Sequence, residues 1–425
     1  MKYNTVSGKK YWSLCLIVHT KNVKLANRVV IECYDIHICL FIMMKMKKHN
    51  LIWVVFVLII CACSSSQKGM ESSVNTVSID ISNCEELDFR KFFDSVKYVP
   101  LETNEDVLIG EITKMYLTNE HIIIFDQKTM KIFLFGIDGK FIRNIGKKGE
   151  GPDEYLFIND IQFDEKHMLI LAHERFRNSI YTYDLSGNLL DKTQEALISF
   201  NSFSKTEEGF WVYSCFSNKN PEHYNLMLLT SDLQSIKKQF FSQKEFVNVT
   251  FLPTFMNDEH GRLFFYYPSS NIIYEISGTD VTPYLQVDFG NKTMPYDMIN
   301  EMESIEEYDK LVSGQNYLGN ISKCFINQDK IFFSFTESGL GVVNNYNCFY
   351  EIESKVGHIF KNPFMSSAKY PILTNLLYST NNILVYPIYP SVFSEDTFTD
   401  LSQSLSADIQ FDSNLILAIC SLKKK

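Results

Sequence analysis

Between residues 119 and 386 the chain repeats one short phrase six times: a polar turn followed by a run of β-branched, aliphatic and aromatic residues. The runs are His121–Phe125, His167–Leu171, Gly209–Tyr213, Arg262–Tyr266, Lys330–Ser334 and Asn382–Tyr386. Their second residues are spaced by 46, 42, 53, 68 and 52 positions. Each run is preceded by Gly, Asn or Asp, which tolerate left-handed backbone or bond to their own main chain, and so suit tight strand connections. The runs are apolar at nearly every position rather than alternating, as expected of strands covered on both faces. A second hairpin follows several of them: Ile132–Gly139 matches Ile180–Gly187, and Tyr274–Gly278 and Tyr350–Ser354 keep its core, while the third and sixth copies are degenerate. Two hairpins per repeat make a four-stranded antiparallel sheet, and a period near fifty is that of propeller blades. The pattern predicts an all-β, six-bladed β-propeller over residues 85–425.

Two departures from the repeat carry predictions. Phe92–Leu101 reads as a strand that completes the last blade by pairing with the C-terminal stretch Ile409–Leu422. The step of 68 exposes an insertion over 293–314, in which Asn291 or Thr293 as cap, Pro295 near the start and Gly314 beyond the end predict one helix.

The N-terminal region reads as targeting. Met46-Lys-Lys-His-Asn50 precedes ten apolar residues, Leu51–Ile60, too few to span a bilayer and suited to a secretory signal over 46–62. Ile60-Cys-Ala-Cys63-Ser-Ser-Ser resembles a bacterial lipobox, which implies diacylation of Cys63, anchoring in the membrane and, with Ser64 in place of Asp, the outer membrane. Residues 1–45 fit no part of this plan, and translation from Met46 (or Met44) is the simplest reading. Residues 63–84 are Ser-rich at the start and read as a tether.

The 425 residues carry a net charge of −10, and with residues 1–62 set aside 31 basic face 48 acidic side chains, which leaves no clustered cations for nucleic acid. The cysteines after Cys63 are Cys84, Cys215, Cys324, Cys348 and Cys420; with no CxxC they predict free thiols rather than a disulfide framework. No HxH, HExxH, GxSxG or phosphate-binding Gly loop is present. No cofactor is predicted from the sequence.

Val99-Pro-Leu-Glu-Thr103, Ile109-Gly-Glu-Ile112, Gly139-Lys-Phe-Ile142 and Gly146-Lys-Lys-Gly-Glu-Gly-Pro-Asp-Glu-Tyr155 resemble the six-bladed propeller lipoproteins of Bacteroidetes, and more distantly the NHL-repeat propellers. That resemblance implies envelope location and shape far more than chemistry. Blade geometry places the loops between strands two and three on the same face as the blade-to-blade connections. Ligand contacts are therefore expected from Asp126, His173 and Arg175 together with Glu150, Asp153 and Glu154, while Gly149, Gly151 and Pro152 set the turn. The expected role is a lipid-anchored binding or scaffold protein whose channel face takes a glycan, a peptide or an envelope protein. The alternatives are an NHL-like lyase or hydrolase with a divalent metal on the axis, and a structural subunit of an envelope complex.

Overall fold

The computed structural model describes residues 2–6, 9–13, 74–85, 88–214, 224–242, 255–258, 260–267, 270–299, 301–302, 304–327, 330–338, 343–361, 376–380, 382–393, 395–405 and 408–423. The chain divides into Met1–Ser73 and Val74–Lys425. In the first unit Lys2–Val6 pairs with Lys9–Ser13 as an antiparallel hairpin. The proposed signal and Cys63 lie outside the described residues.

The second unit is a six-bladed β-propeller. Blade 1 comprises Ile112–Leu117, His121–Asp126, Lys131–Gly136 and Phe141–Asn144; blade 2 comprises Ile158–Asp164, Leu169–Glu174, Ser179–Asp184 and Leu189–Lys192. Blade 3 comprises Ser202–Thr206, Gly209–Tyr213, Tyr224–Leu229 and Ile236–Ser242; blade 4 comprises Phe255–Asn257, Leu263–Tyr266, Ile272–Ser277 and Asp280–Asp288. Blade 5 comprises Tyr317–Asn327, Lys330–Ser338, Val343–Glu351 and Val356–Lys361. Blade 6 takes Tyr378–Thr380, Ile383–Ile388 and Ile416–Leu422 from the C-terminal region and Phe93–Pro100 from the N-terminal one. The first strands adjoin in order around the ring, and that of blade 6 meets that of blade 1.

Each apolar run is the second strand of its blade, and the reason is burial on both sides. Ile122 and Ile124 pack toward blade 6, while Ile123 and Phe125 pack toward blade 2, all four fully buried. A sheet with two apolar faces has no stable existence alone, and stacking in a ring covers both faces.

The predicted closure is present. Phe93–Pro100 runs antiparallel to Ile416–Leu422, with Pro100 opposite Ile416 and Phe93 opposite Leu422. Three features differ from expectation. Asn75–Ser78, inside the expected tether, adds to blade 4 as a fifth, parallel strand beside Leu285–Asp288. Its anchors, Val77 and Ile79, are buried between blades 4 and 5, and so short an alternation leaves no clear trace in sequence. The Glu85 N–H then donates to the Ile359 carbonyl on the outer strand of blade 5, so residues 75–85 and 88–100 meet the rims of three consecutive blades.

The predicted single helix is two, Tyr296–Ile299 and Ile305–Val312. The second is capped by Ser304, whose Oγ accepts the Glu307 N–H at 3.3 Å; Thr293 instead accepts the Phe289 N–H and bridges to Leu318 on blade 5. An unforeseen helix, Glu395–Leu405, lies between the second and third strands of blade 6, with Leu401 buried. That insertion, and the use of an N-terminal strand, explain why the sixth repeat is degenerate. Among the described residues no helix is long and apolar enough to cross a membrane.

Candidate functional site

A carboxylate lies at or next to the end of the second strand in blades 1, 2 and 5, and each is buried. Asp126 is fully buried, and its two oxygens accept the N–H groups of Gly110, Glu111, Lys128 and Thr129. Glu174 does the same in blade 2 for Leu156, Phe157 and Arg177. Glu337 takes Asn344 Nδ2–H and the Tyr346 hydroxyl in blade 5. Buried main-chain donors need acceptors, and an ionised carboxylate supplies several at once. Asp126, expected on the channel-face surface, is thus a clasp between the approach to strand one and the turn after strand two.

The Gly149–Glu154 connection is a self-contained turn. The Gly149 N–H donates to the Tyr155 carbonyl at 2.9 Å, the Gly151 N–H to Glu154 Oε2 at 2.9 Å, and Lys147 pairs with Glu154 Oε1 at 2.5 Å. The Lys147 ammonium and the Gly151 N–H hold the Glu154 carboxyl below its usual range. A Cβ on residue 149 would stand 2.0 Å from Glu154 Oε2, so a side chain there would push the Glu154 carboxylate off its bond to the Gly151 N–H. The Pro152 carbonyl accepts from Lys192 Nζ at 3.1 Å, and Tyr155 is buried with its hydroxyl on the Met130 carbonyl. Glu150 and Asp153 point to solvent, and Arg175 is exposed with its guanidinium over the Phe157 ring.

The first strands carry the polar groups nearest the axis. Lys114 of blade 1 and Asp160 of blade 2 form a 2.6 Å ion pair at side-chain exposures of 15% and 7%. Burial opposes the charge on Lys114, but Asp160 and Tyr116 more than offset it and raise its pKa. Asp160 also accepts the Ser202 hydroxyl at 2.7 Å and the Phe203 N–H at 3.1 Å, which joins blades 1, 2 and 3. Lys114 Nζ and the Tyr116 hydroxyl both donate to the Ile161 carbonyl. Sequence reading did not select Lys114 or Asp160; their one signal is a charge interrupting strand-like segments.

His173 lies directly across the strand pair from Asp160 and shares its face of the sheet, toward blade 3, where it is fully buried. Its ring stacks on Phe200 with centroids 4.1 Å apart and planes 18° apart. Asn178 Nδ2 is committed to the carbonyls of Ala196 and Ile198, so its Oδ1 faces His173 Nε2 at 3.3 Å, and the neutral ring carries its proton there. Desolvation depresses the His173 pKa from 6.5 to about 4. The folded pKa lies below the unfolded one, so this stabilisation is full above pH 6.5 and is lost as pH falls toward 4. We expect about 2 kcal/mol of His173-dependent loss by pH 5. Urea unfolding at pH 7.5 and pH 5 measures it, and a His173→Phe variant should show a correspondingly flatter pH dependence; an unchanged slope would refute the assignment.

Two other histidines have acidic partners of their own: His167 bonds Asp164 at 2.8 Å, and His358 lies beside Glu85 and Lys91, whereas His121 Nδ1 is buried without one. Among the described residues no group of three or more His, Cys, Asp or Glu side chains is arranged to hold a metal ion, so the axial metal of the enzymatic alternative has no evident ligand set there. Cys84, Cys324, Cys348 and Cys420 are free thiols, the last three buried.

A model for a domain of unknown function, DUF4934, matches residues 74–421. The chain belongs to the DUF4934 family. No curated protein matches the sequence. The DUF4934 propeller is similar in structure to a Bacteroides fragilis protein provisionally described as exported, with a TM-score of 0.66, 16% identity, and coverage of 82% of this chain and 100% of that one. It is also similar to a DUF4221-family member from Bacteroides vulgatus, with a TM-score of 0.51, 10% identity, and coverage of 80% and 99%. These likenesses carry the fold alone. A virginiamycin B lyase from Staphylococcus aureus, at a TM-score of 0.41 and 10% identity over 77% of this chain and 99% of that one, is too distant to carry chemistry to this DUF4934 member.

Proposed function

We propose that this DUF4934 propeller is a lipid-anchored envelope module that binds a protein partner on the face formed by its two-to-three loops and blade connections. One observation carries the reading. Of ten exposed large hydrophobic side chains among the described residues, six fall in the loops and short helical turns of that face: Leu108, Phe176, Leu197, Met298, Val392 and Phe411. Phe176 and Phe411 are 70% and 64% exposed. Met168 and Val356 belong to the other face. Exposed apolar groups gathered on one face mark contact surfaces.

The surrounding charge selects the partner. Glu102, Glu105, Asp106 and Glu111 precede blade 1, and Asp400, Asp408 and Asp412 occupy the blade 6 insertion. A protein segment with basic and apolar side chains fits this surface better than a neutral glycan does. Anchoring through Cys63 rests on the lipobox, and the exported description of the Bacteroides fragilis neighbour agrees with an envelope location.

The test uses the membrane-anchored chain with a photo-crosslinking residue placed at Phe176, Phe411 or, as a control, Val356. Discrete protein adducts are expected from the first two positions only, and their yield should fall with salt. Equal labelling from Val356, or no adduct from either loop, would reject this face.

A further inference from the structure

We propose that the joined loops 102–111 and 408–414 are the part of this face that holds the partner, and that they do so only while the ring is closed, so that binding there pins the seam between blades 6 and 1. The proposal rests on the protein-partner reading of the face; it adds where the contact is made, what it selects and what it controls.

The two loops come from opposite ends of the propeller sequence. Residues 102–111 follow the closing strand Phe93–Pro100, and 408–414 precede its partner Ile416–Leu422. Asn414 joins them. It is 6% exposed, and its side chain is fully engaged: Nδ2 donates to the carbonyls of Glu102 and Val107, each at 2.7 Å, and Oδ1 accepts the Ile109 N–H at 2.8 Å. The Asn414 N–H donates to Thr103 Oγ1 at 2.8 Å, and the Leu101 N–H donates to the Leu415 carbonyl at 3.3 Å. The Asn414 bonds span separations of 305 to 312 residues, so they form only when the closing strand and its partner have met.

Leu108 and Phe411 stand on this platform between buried anchors. Val107 and Leu415 are 0% and 5% exposed inside the seam, and Ile409 is 4% exposed within blade 6. Leu108 lies between two residues that bond Asn414, yet it is 51% exposed, and Phe411 is 64% exposed. A backbone fixed on both sides holds these side chains outward, and little conformational entropy is lost when a partner covers them.

The rim of the platform is acidic. Glu102, Glu105, Asp106, Glu111, Asp408 and Asp412 are all exposed. Lys131, whose Nζ donates to the Asp106 carbonyl at 3.1 Å, and Lys128, which lies against Gly110, offset only two of the six. An apolar pair ringed by surplus negative charge fits a peptide segment whose Leu or Phe anchors are flanked by Lys or Arg. Such a segment, spanning both loops, binds the closed ring and not the open one, and so stabilises closure by mass action.

A short fluorescent peptide in which Lys alternates with Leu, added to the full chain, tests this. Its affinity, read by anisotropy, should fall about tenfold in Leu108→Ser and in Phe411→Ser, stay unchanged in Met168→Ser on the other face, and vanish when Glu replaces Lys in the peptide. Thermal unfolding of the three variants without peptide should match the parent, because each side chain is already exposed. At about ten times its Kd the peptide should also slow amide exchange about tenfold in Phe93–Pro100 and Ile416–Leu422, and leave Gly209–Tyr213 of blade 3 unchanged. The proposal is overturned if the peptide does not bind, if the Leu108 and Phe411 variants bind it as the parent does, or if it binds without slowing exchange at the seam. Protein crosslinks from Phe176 would then still stand for the wider face, and their absence would remove that reading as well.

Discussion

A chain that begins at Leu101 is expected to lose its cooperative unfolding transition and to self-associate, whereas one that begins at Val74 retains a single sharp transition and stays monodisperse at the same concentration. The missing segment is the strap over three blades. It contributes four buried anchors, Val77, Ile79, Phe93 and Val99, each no more than 5% exposed. Burial of four such side chains is worth about 8 kcal/mol, comparable with the entire stability of many domains. Its loss also strips Ile416–Leu422 of its outer partner and leaves a long apolar strand edge, which templates association. Thermal unfolding followed by circular dichroism, with size-exclusion chromatography beside it, separates the two effects. A cooperative, monomeric chain starting at Leu101 would show that the ring is held without the strap.

Asp160→Ala should destabilise the propeller by about 3–5 kcal/mol, the cost of leaving a buried ammonium without its counter-charge. The variant also strands the Ser202 hydroxyl and the Phe203 N–H, which have Asp160 Oδ2 as acceptor. Replacing both members of the pair, Lys114→Met with Asp160→Leu, should recover the part of the loss due to the unpaired charge but not the part due to the stranded Ser202 and Phe203 donors. Urea unfolding of the two single variants and the double variant gives the coupling directly. If Asp160→Ala costs less than about 1 kcal/mol, the pair is as solvent-screened as a surface contact, and the burial of Lys114 must be reassessed.

The second strands were legible because both of their faces are covered, so His121–Phe125 and its five counterparts read as unbroken apolar runs. The first strands were not. Their polar members, including Lys114, Asp160, Ser202 and Ser204, lie where neighbouring blades converge on the axis, and no apolar periodicity survives there. The helix Glu395–Leu405 was hidden for a different reason: Thr and Ser fill much of it, and such residues have weak intrinsic preference for a helix. It is stabilised by tertiary burial of Leu401.

Loop position was also easier to read than loop role. Asp126 and His173 do lie at the ends of second strands, on the face of the two-to-three loops. Their side chains turn inward because main-chain donors and the Phe200 ring await them, and both partners come from distant parts of the sequence or from turn geometry. The repeated acid at Asp126 and Glu174 was visible in the letters, but its meaning depends on hydrogen bonds that only the folded turn creates.

The closure of blade 6 sets the order in which this protein can be made. Phe93–Pro100 leaves the ribosome early, while its partner, Ile416–Leu422, emerges last. Contacts so remote in sequence form slowly, because the loop-closure entropy must be overcome before they are rewarded. Through synthesis the five earlier sheets therefore wait as an open arc with an apolar face at each end. Such a chain depends on a holding factor, or on folding only once the late strand is available, and Ile416–Leu422 decides when the ring becomes a ring.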